Sequence, residues 1–421
     1  MSLLHALRTV SLLLLMLGAM PAQADTVLRV FIGGPAQRPD LFRTLADRYE
    51  ASHPGIRIEI GSSAATSELQ RKYLSVLLNA HDPSFDALML DIVHPYQFAT
   101  ASWIAPLDPY LGKEKEALLA DGLPIYRQTN LIKGQLYTLP AVTDAMFMYY
   151  RKDLLAQYGI APPQSWQELE AAAQTILKQE NKPALQGLSM QGAPIEGTVC
   201  SFLLPYWSQG KEVLNKNGKL ILDKPAALQS LTLWTGLIKK NVIRRHVGEV
   251  KTGDTVNTFK AGNAIFAINW GFAWNVFQND ADSRVKDKVG IIRMPAMPGG
   301  EHATCLGGWQ WALSNYSRNK AQTADLLRFL ASPESVRFIT LQGGLLPPYL
   351  SLYDDADVQA VIPWLKDAKP ALLGARSRPL TARYAQVSDV LRISTSAVLA
   401  GSLTTEEGLE DISLRLERIL R

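Results

Sequence analysis

Residues 55–92 have the sequence GIRIEIGSSAATSELQRKYLSVLLNAHDPSFDALMLDI, in which two strand patterns flank one helical pattern. In GIRIEIGS, apolar and polar residues alternate, which predicts a strand. The spacing of apolar residues over Ser67–Asn79 predicts a helix, and the apolar run FDALMLDI predicts a buried parallel strand. A strand, a helix and a parallel strand in succession indicate the α/β class.

The same alternation of strands and helices continues along the chain. Further helices are predicted over Asp40–Ala51, Lys320–Ala331 and Pro333–Gln342. Further strands are predicted in TVLRVFIGG, QLYTLPAV, AMFMYYRK, LQGLSMQG and AIFAINW, and in the tryptophan-bearing segment after GIIRMPAMPGG. Beyond GGLLPPYLSLYDD only helices are predicted, and Thr404 with Glu407 predicts a capping box for the last one. The pattern favours an α/β architecture with mostly parallel sheets.

Residues 1–24 have the features of a secretory signal peptide. Arg8 precedes an apolar run from Val10 to Met20, and Ala22-Gln23-Ala24 is a small-x-small cleavage site. The run is too short to span a bilayer, and no cysteine follows the cleavage site to suggest a lipid anchor. The remaining residues, 25–421, exceed what one core usually supports, so we expect two lobes in a soluble, exported protein.

The charge of the chain excludes several classes of partner. The formal net charge of +4 falls to +3 when Arg8 is removed with the signal peptide. A charge so small and so evenly distributed argues against binding to nucleic acid or to a membrane surface. The six histidines have no clustered spacing, so neither a metal nor a cofactor is expected.

Cys200 and Cys305 are the two cysteines of the chain. An oxidising compartment favours a disulfide between them. Free cysteines, however, also pack as small apolar residues in protein cores. The sequence leaves both alternatives open.

Candidate ligand-binding side chains fall at the carboxyl ends of predicted strands. They are Asp91, Asp144, Trp270 and Trp309. Ligands of open α/β sheets bind at these ends. An indole stacks on the C–H face of a pyranose, and a carboxylate accepts from two neighbouring hydroxyls. The set therefore suits a neutral sugar, and the bare backbone of Gly307-Gly308 would leave room for it beside Trp309.

Each candidate also fits an ordinary structural role. Trp270 and Trp274 are at a helical spacing that is typical of core packing. Asp91 suits a helix cap, and Asp144 suits a turn. Arg378, in the segment SRPLTARY, suits a surface charge before a helix. Composition and spacing alone thus establish only an exported two-lobe α/β protein.

Five longer segments make the chain resemble a known family. They are YLSVLLNAHDPSFDALMLDIVHPYQFATASWIAPLD, LYTLPAVTDAMFMYYRKDLL, TFKAGNAIFAINWGFAW, LGGWQWALSNYS and SRPLTARYAQVSDVL. In order and spacing they resemble the extracellular solute-binding proteins of ABC sugar importers, close to the trehalose/maltose-binding branch. The resemblance runs through nearly the whole mature chain. It implies the type II periplasmic-binding-protein fold, with a ligand cleft between two lobes joined by crossover strands.

The resemblance also implies how the chain is divided. Crossovers are expected near Val142–Asp144, Arg293–Met297 and Leu346–Leu350. The N-terminal lobe would then consist of residues 25–143 and 296–347, and the C-terminal lobe of residues 144–295 and 348–421. Cys200 would lie in the second lobe and Cys305 in the first. A disulfide between them would then join the two lobes.

Matched position by position, the resemblance implies a ligand-binding set. Carboxylates would accept from sugar hydroxyls, aromatic rings would stack, an arginine would donate, and one helix and the first loop would add polar contacts. The set is Asp91, Asp144, Trp270, Phe272, Gly308, Trp309, Arg378, Glu68 or Arg71, and Gln37 or Arg38. Val142 stands where relatives often have an aromatic residue, and Phe272 lacks the hydroxyl of the usual tyrosine. Because of these departures, the resemblance does not identify the ligand, which could be a di- or oligosaccharide, a glycoside or another polyol.

The function that the resemblance implies is capture of a sugar in the cleft. A monomeric periplasmic binding protein would close around the ligand by hinge bending and deliver it to a membrane permease. One alternative is a secreted glycan hydrolase that uses Asp91 and Asp144 as its two carboxylates. Another is a sensory binding protein for a chemoreceptor, which would have the same fold and cleft.

Overall fold

The computed structural model describes residues 26–62 and 66–421, so the predicted signal peptide, residues 1–24, lies outside the described residues. The strands within this part of the chain are β1 (Thr26–Phe31), β2 (Ile56–Gly61), β3 (Ala87–Asp91), β4 (Ile104–Ala105), β5 (Leu131–Ile132), β6 (Gln135–Leu136), β7 (Thr138–Arg151), β8 (Gln186–Ser189), β9 (Ala264–Trp270), β10 (Val289–Ile292) and β11 (Leu306–Ser314).

Helices make up most of the remaining regular structure. They are α1 (Pro39–Ser52), α2 (Ser67–Asn79), α3 (Pro95–Thr100), α4 (Asp108–Leu111), α5 (Glu114–Asp121), α6 (Tyr126–Thr129), α7 (Lys152–Gln157), α8 (Trp166–Glu180), α9 (Glu196–Ser208), α10 (Lys224–Lys239), α11 (Thr252–Lys260), α12 (Ala273–Asn279), α13 (Lys320–Leu330), α14 (Pro333–Gly343), α15 (Ala356–Val361), α16 (Leu365–Leu373), α17 (Tyr384–Leu399) and α18 (Thr405–Ile419). Short 3₁₀ helices cover Pro35–Gln37, Arg245–Glu249 and Leu350–Asp354. Among these described helices, none is long and apolar enough to cross a membrane.

The sheet is mixed rather than mostly parallel. Its strands lie in the order β2-β1-β3-β11-β7-β9-β8, with β4 beside β11 and β10 beside β7. β1 is parallel to β2 and β3, as the sequence predicts, and β8 is parallel to β9. β11, however, runs antiparallel to β3 and β7, and β7 runs antiparallel to β9. The prediction of mostly parallel sheets is wrong because a strand buried on both faces has the same continuous apolar pattern in either direction.

β7 is one continuous strand where the sequence predicts two. Its first part, Thr138–Ala145, pairs with β11, and its second part, Met146–Arg151, pairs with β9 and β10. Pro140 interrupts the sequence pattern but is tolerated within this strand. Consequently the one strand belongs to two different packed regions of the protein.

Two hydrophobic bodies lie along β7. The first body has its core in residues 28–142 and 311–345, and the second has its core in residues 145–305 and 346–416. A smaller cluster with Ile92, Leu123, Leu306 and Tyr384 connects them. The polypeptide chain therefore crosses from one body to the other near residue 143, between residues 305 and 311, and near residue 345.

Cys200 and Cys305 form a disulfide, which is one of the two alternatives that the sequence leaves open. Both cysteines pack in the core of the second body, together with Met294, Met297 and Ala303. The bridge therefore lies within one body and does not join the two, contrary to the expectation from the family resemblance. The reason is that the chain returns to the first body along β11, after Cys305, and not near Arg293–Met297.

Candidate functional site

The central strands bring the candidate side chains together where the two bodies meet. On β11, Trp309 lies opposite Asp91 of β3 on one side and opposite Val142 of β7 on the other. Gly307 lies opposite Asp144 in the same ladder. Trp270 ends β9 and pairs with Met146 of β7. The sequence prediction that these residues share one edge is consistent with this register.

Three aromatic side chains at this edge are partly exposed. Trp270, Phe272 and Trp309 all retain accessible surface, whereas Trp311, two residues beyond Trp309, is fully buried. Trp270 belongs to a strand and Trp274 to helix α12, so their spacing along the chain does not reflect one helical face. Phe272 packs against the cores of both bodies. Partly exposed rings at such a position can present their faces to a ligand.

The two glycines before Trp309 serve the protein's own packing. A Cβ added at Gly307 would lie 2.5 Å from Cζ3 of Trp270. A Cβ added at Gly308 would lie 2.6 Å from the carbonyl oxygen of Val142. The expectation that these glycines leave room for a ligand beside Trp309 is therefore wrong. They leave room for the Trp270 indole and for the backbone of β7.

Substitution of Gly308 should therefore destabilise the protein. Its φ of +121° is unfavourable for any residue with a Cβ, and the added methyl would collide with β7. We expect Gly308→Ala to lower the free energy of unfolding by about 2 kcal/mol, measured by urea denaturation. Gly134→Ala is the matched control, because Gly134 also has a positive φ (+82°) but open space around it. Equal losses in the two variants would contradict the collision with β7.

Arg378 is a buried ion-pair partner, not a surface charge. It is 2 % exposed, and its Nη2 lies 3.2 Å from Oδ1 of Asp91. Its Nη1 lies 3.0 Å from Oε2 of Glu196, the first residue of α9. Burial alone would lower the pKa of Arg378, but the attraction of Asp91 and Glu196 raises it above its ordinary value. Arg378 is therefore charged, and Asp91, the last residue of β3, is its ion-pair partner.

Glu196 is the main site residue that the sequence prediction missed. It is buried, although an acid in the first turn of a helix normally indicates only a favourable interaction with the helix dipole. Its partner Arg378 is 182 residues away in the sequence. The available signal was weak: one acid within the apolar segment APIEGTVCSFLL.

Asp144 lies in β7 and not in a turn. Its Oδ1 accepts from the backbone N–H of Gly271 at 2.6 Å and of Ala145 at 2.7 Å. Burial raises the pKa of Asp144 to about 7, against these backbone hydrogen bonds, which lower it. Its charge therefore changes in the physiological pH range, and part of its side chain remains accessible.

A polar cluster continues the site from Asp91 along α2. The backbone N–H of His94 donates to the carbonyl of Asp91, and its Nε2 lies 3.1 Å from Oγ of Ser67. Burial lowers the pKa of His94 to about 4, so its ring is neutral. Glu68, on the next position of α2, is 7 % exposed, and its Oε2 has no hydrogen-bond partner among residues 26–62 and 66–421. A buried acceptor of this kind can receive a ligand hydroxyl.

The remaining candidates lie beside this polar cluster. Gln37 is buried in the loop after β1 and accepts from Nε2 of Gln70 at 3.5 Å. Arg71 is partly exposed on α2 and lies close enough to lower the pKa of His94. Arg38 instead pairs with Asp40 at the start of α1. Within the described residues, no group of three or more histidine, cysteine or acidic side chains could hold a metal ion.

The chain is similar to known bacterial solute-binding proteins. The sequence model of the family described as "Bacterial extracellular solute-binding protein" matches residues 35–337. A probable ABC transporter-binding protein of Deinococcus radiodurans is 34 % identical over 305 residues, which is 70 % of this chain and 72 % of that protein. A mannitol-binding protein of Pseudomonas aeruginosa is 28 % identical over 292 residues, which is 66 % of this chain and 62 % of that protein.

A solved structure of maltose-bound MalE3 of T. maritima superposes on this fold with a TM-score of 0.86. It is 30 % identical in sequence, and the match covers 93 % of this chain and 99 % of that one. The fold thus matches the two-lobe fold of the periplasmic binding proteins.

Proposed function

Since this chain belongs to the bacterial extracellular solute-binding proteins and is a substrate-binding protein of an ABC transporter, we propose that it captures a sugar between its two lobes. The family places the protein in the periplasm or outside the cell. The proposed ligand is a di- or oligosaccharide, and the proposed partner is a membrane permease that receives it. The proposed lobes follow the two cores, with crossings near residue 143, after Cys305 and near residue 345.

One observation supports this proposal most directly. Partly exposed indoles, Trp270 and Trp309, lie beside Asp91, Asp144 and the buried cation Arg378 at one edge of the central strands. Aromatic faces can cover the C–H faces of a sugar, and charged groups can pair with its hydroxyls. In this proposal Phe272, Glu68, Arg71 and Gln37 complete the site, and Gly308 contributes to it only by allowing β11 to pack closely on β7 beside Trp309.

Closure of the lobes is proposed to depend on contacts from both. The first lobe supplies Asp91 and Trp309, and the second supplies Trp270. A ligand that contacts both lobes favours the closed arrangement over the open one. A shift from mostly open to mostly closed requires roughly 5 kcal/mol of differential binding. A few charge-assisted hydrogen bonds and stacked rings are sufficient for a difference of this size.

A ligand screen tests the proposed function. Purified protein is screened by thermal shift against sugars and polyols, with maltose and D-mannitol included, and each hit is measured by calorimetry. We expect a sugar to bind and to be recovered intact, and we expect Trp309→Ala to abolish or greatly weaken binding. Trp311→Phe is the control, because Trp311 is buried and should affect stability but not affinity. Hydrolysis of the sugar would favour a glycan hydrolase, and the lack of any sugar ligand would contradict the proposal.

The raised pKa of Asp144 predicts that affinity depends on pH. Sugar hydroxyls donate best to the ionised carboxylate, and Asp144 loses that charge as the pH falls through about 7. The dissociation constant should therefore rise, by up to about tenfold per pH unit below pH 7, as measured by calorimetry between pH 5.5 and 8.5. In Asp144→Asn the slope should disappear. Because the pKa of His94 is about 4, that residue does not contribute in this range; a slope that persists in Asp144→Asn would show that another group is responsible.

A further inference from the structure

Glu196 is fully engaged by side chains from one later segment of the chain. Its Oε2 accepts from Oη of Tyr384 at 2.7 Å and from Nη1 of Arg378 at 3.0 Å. Its Oε1 accepts from Oγ of Ser388. Both carboxylate oxygens thus have protein partners, and the side chain is only 5 % exposed. Its role must be exerted through its partners.

Among those partners, Arg378 is the one that also reaches Asp91. Its Nη2 lies 3.2 Å from Asp91 and 3.4 Å from the carbonyl oxygen of Leu306, both longer than the contact of Nη1 with Glu196. The Nε of Arg378 has no hydrogen-bond partner in the described part of the chain. A planar guanidinium held at one nitrogen by a charged acceptor has a fixed orientation, so its other N–H groups have fixed directions as well.

The disulfide fixes two of the acceptors of Arg378 relative to each other. Cys200 lies one turn after Glu196 in α9, and its partner Cys305 directly precedes Leu306. The bridge therefore holds the start of α9 and the start of β11 at a constant separation. Arg378 lies between these two elements.

We propose that Glu196 is a positioning residue: by holding Nη1 of Arg378, it sets how Arg378 is shared between Asp91 and the ligand. This inference rests on the proposed sugar-binding function. Without the Glu196 charge, the guanidinium turns fully toward Asp91 and occupies the carboxylate that the ligand hydroxyls need. Loss of one charge-assisted hydrogen bond of this kind raises the dissociation constant by roughly tenfold or more.

Calorimetry with maltose and D-mannitol tests the role of Glu196. We expect Glu196→Gln to raise the dissociation constant at least about tenfold and Glu196→Asp, which keeps the charge, to recover part of the loss. In an Arg378→Met background, Glu196→Gln should change affinity less than about twofold, because Glu196 acts only through Arg378. Glu212→Gln is the matched control: Glu212 lies just after the same helix and pairs with Arg376, and its variant should bind normally.

Two results would overturn the proposal. One is unchanged affinity in a Glu196→Gln variant that unfolds cooperatively, and the other is an equal loss of affinity with and without Arg378. If the unmodified protein binds neither maltose nor D-mannitol, the proposed function fails for these two ligands. The contact between Glu196 and Arg378 is then tested in the protein without ligand. Urea denaturation of Glu196→Gln, Arg378→Met and the double variant should show strongly non-additive losses, and additive losses would contradict the positioning role.

Discussion

Replacing Arg378 by alanine should lower the free energy of unfolding by about 3–5 kcal/mol. The substitution leaves Asp91 and Glu196 buried without their common cation. A buried charge that loses its partner keeps the full cost of desolvation, and that cost is larger than the net stability of the intact ion pair. The effect should appear in urea denaturation without ligand, and sugar affinity should fall to a weaker but still measurable value.

A matched control is available two residues earlier. Arg376 pairs with Glu212 and Glu301, but its side chain is 26 % exposed. Arg376→Ala should therefore cost less than about 1 kcal/mol. The triple variant Asp91→Asn/Glu196→Gln/Arg378→Met removes all three charges and should recover much of the loss seen in Arg378→Ala. A loss below about 1 kcal/mol in Arg378→Ala would mean that water reaches the two carboxylates.

Removal of the disulfide is expected to have an effect of similar size. The bridge closes a loop of 105 residues between Cys200 and Cys305. Chain-entropy arguments assign about 4.7 kcal/mol to a loop of about 100 residues, as an upper value for Cys200→Ser/Cys305→Ser. Urea denaturation of this double variant and of the reduced unmodified protein should give the same loss.

Thiol titration provides the direct check on the bridge. The unfolded, unreduced protein should contain no reactive thiol, and reduction should expose two. Two reactive thiols before reduction would show that the cysteines are separate. Sugar affinity of the double variant, measured well below its unfolding temperature, should also fall, because α9 and β11 are no longer joined next to Arg378.

Local elements of the fold could be predicted well from the sequence. The helix Ser67–Asn79 has the predicted bounds, and the capping box of Thr404 and Glu407 is present. These features depend on residues a few positions apart, and their periodicity is contained in the sequence. The direction of β11 and the fusion of two predicted strands into β7 depend on pairing over long separations, which no local pattern encodes.

The sequence named side chains that the fold brings close together, but it did not reveal how they are connected, and their role in ligand binding stays a prediction. Asp91, Asp144, Trp270, Trp309 and Arg378 meet, yet their chemistry differs from expectation. Asp91 is tied to Arg378, the glycines of β11 accommodate protein atoms, and an unforeseen acid holds the arginine. These contacts join segments that are far apart in the sequence. Whether a charged side chain is buried at such a contact depends on the folded structure and cannot be read from the local sequence.

The position of β11 has a consequence for how the chain reaches its native state. β11 lies between β3 and β7, and the pairing of Trp309 with Asp91 cannot form until more than two hundred further residues have left the ribosome. At typical synthesis rates this delay is on the order of ten seconds or more. The core of the first body therefore lacks its central strand until most of the chain has been synthesised.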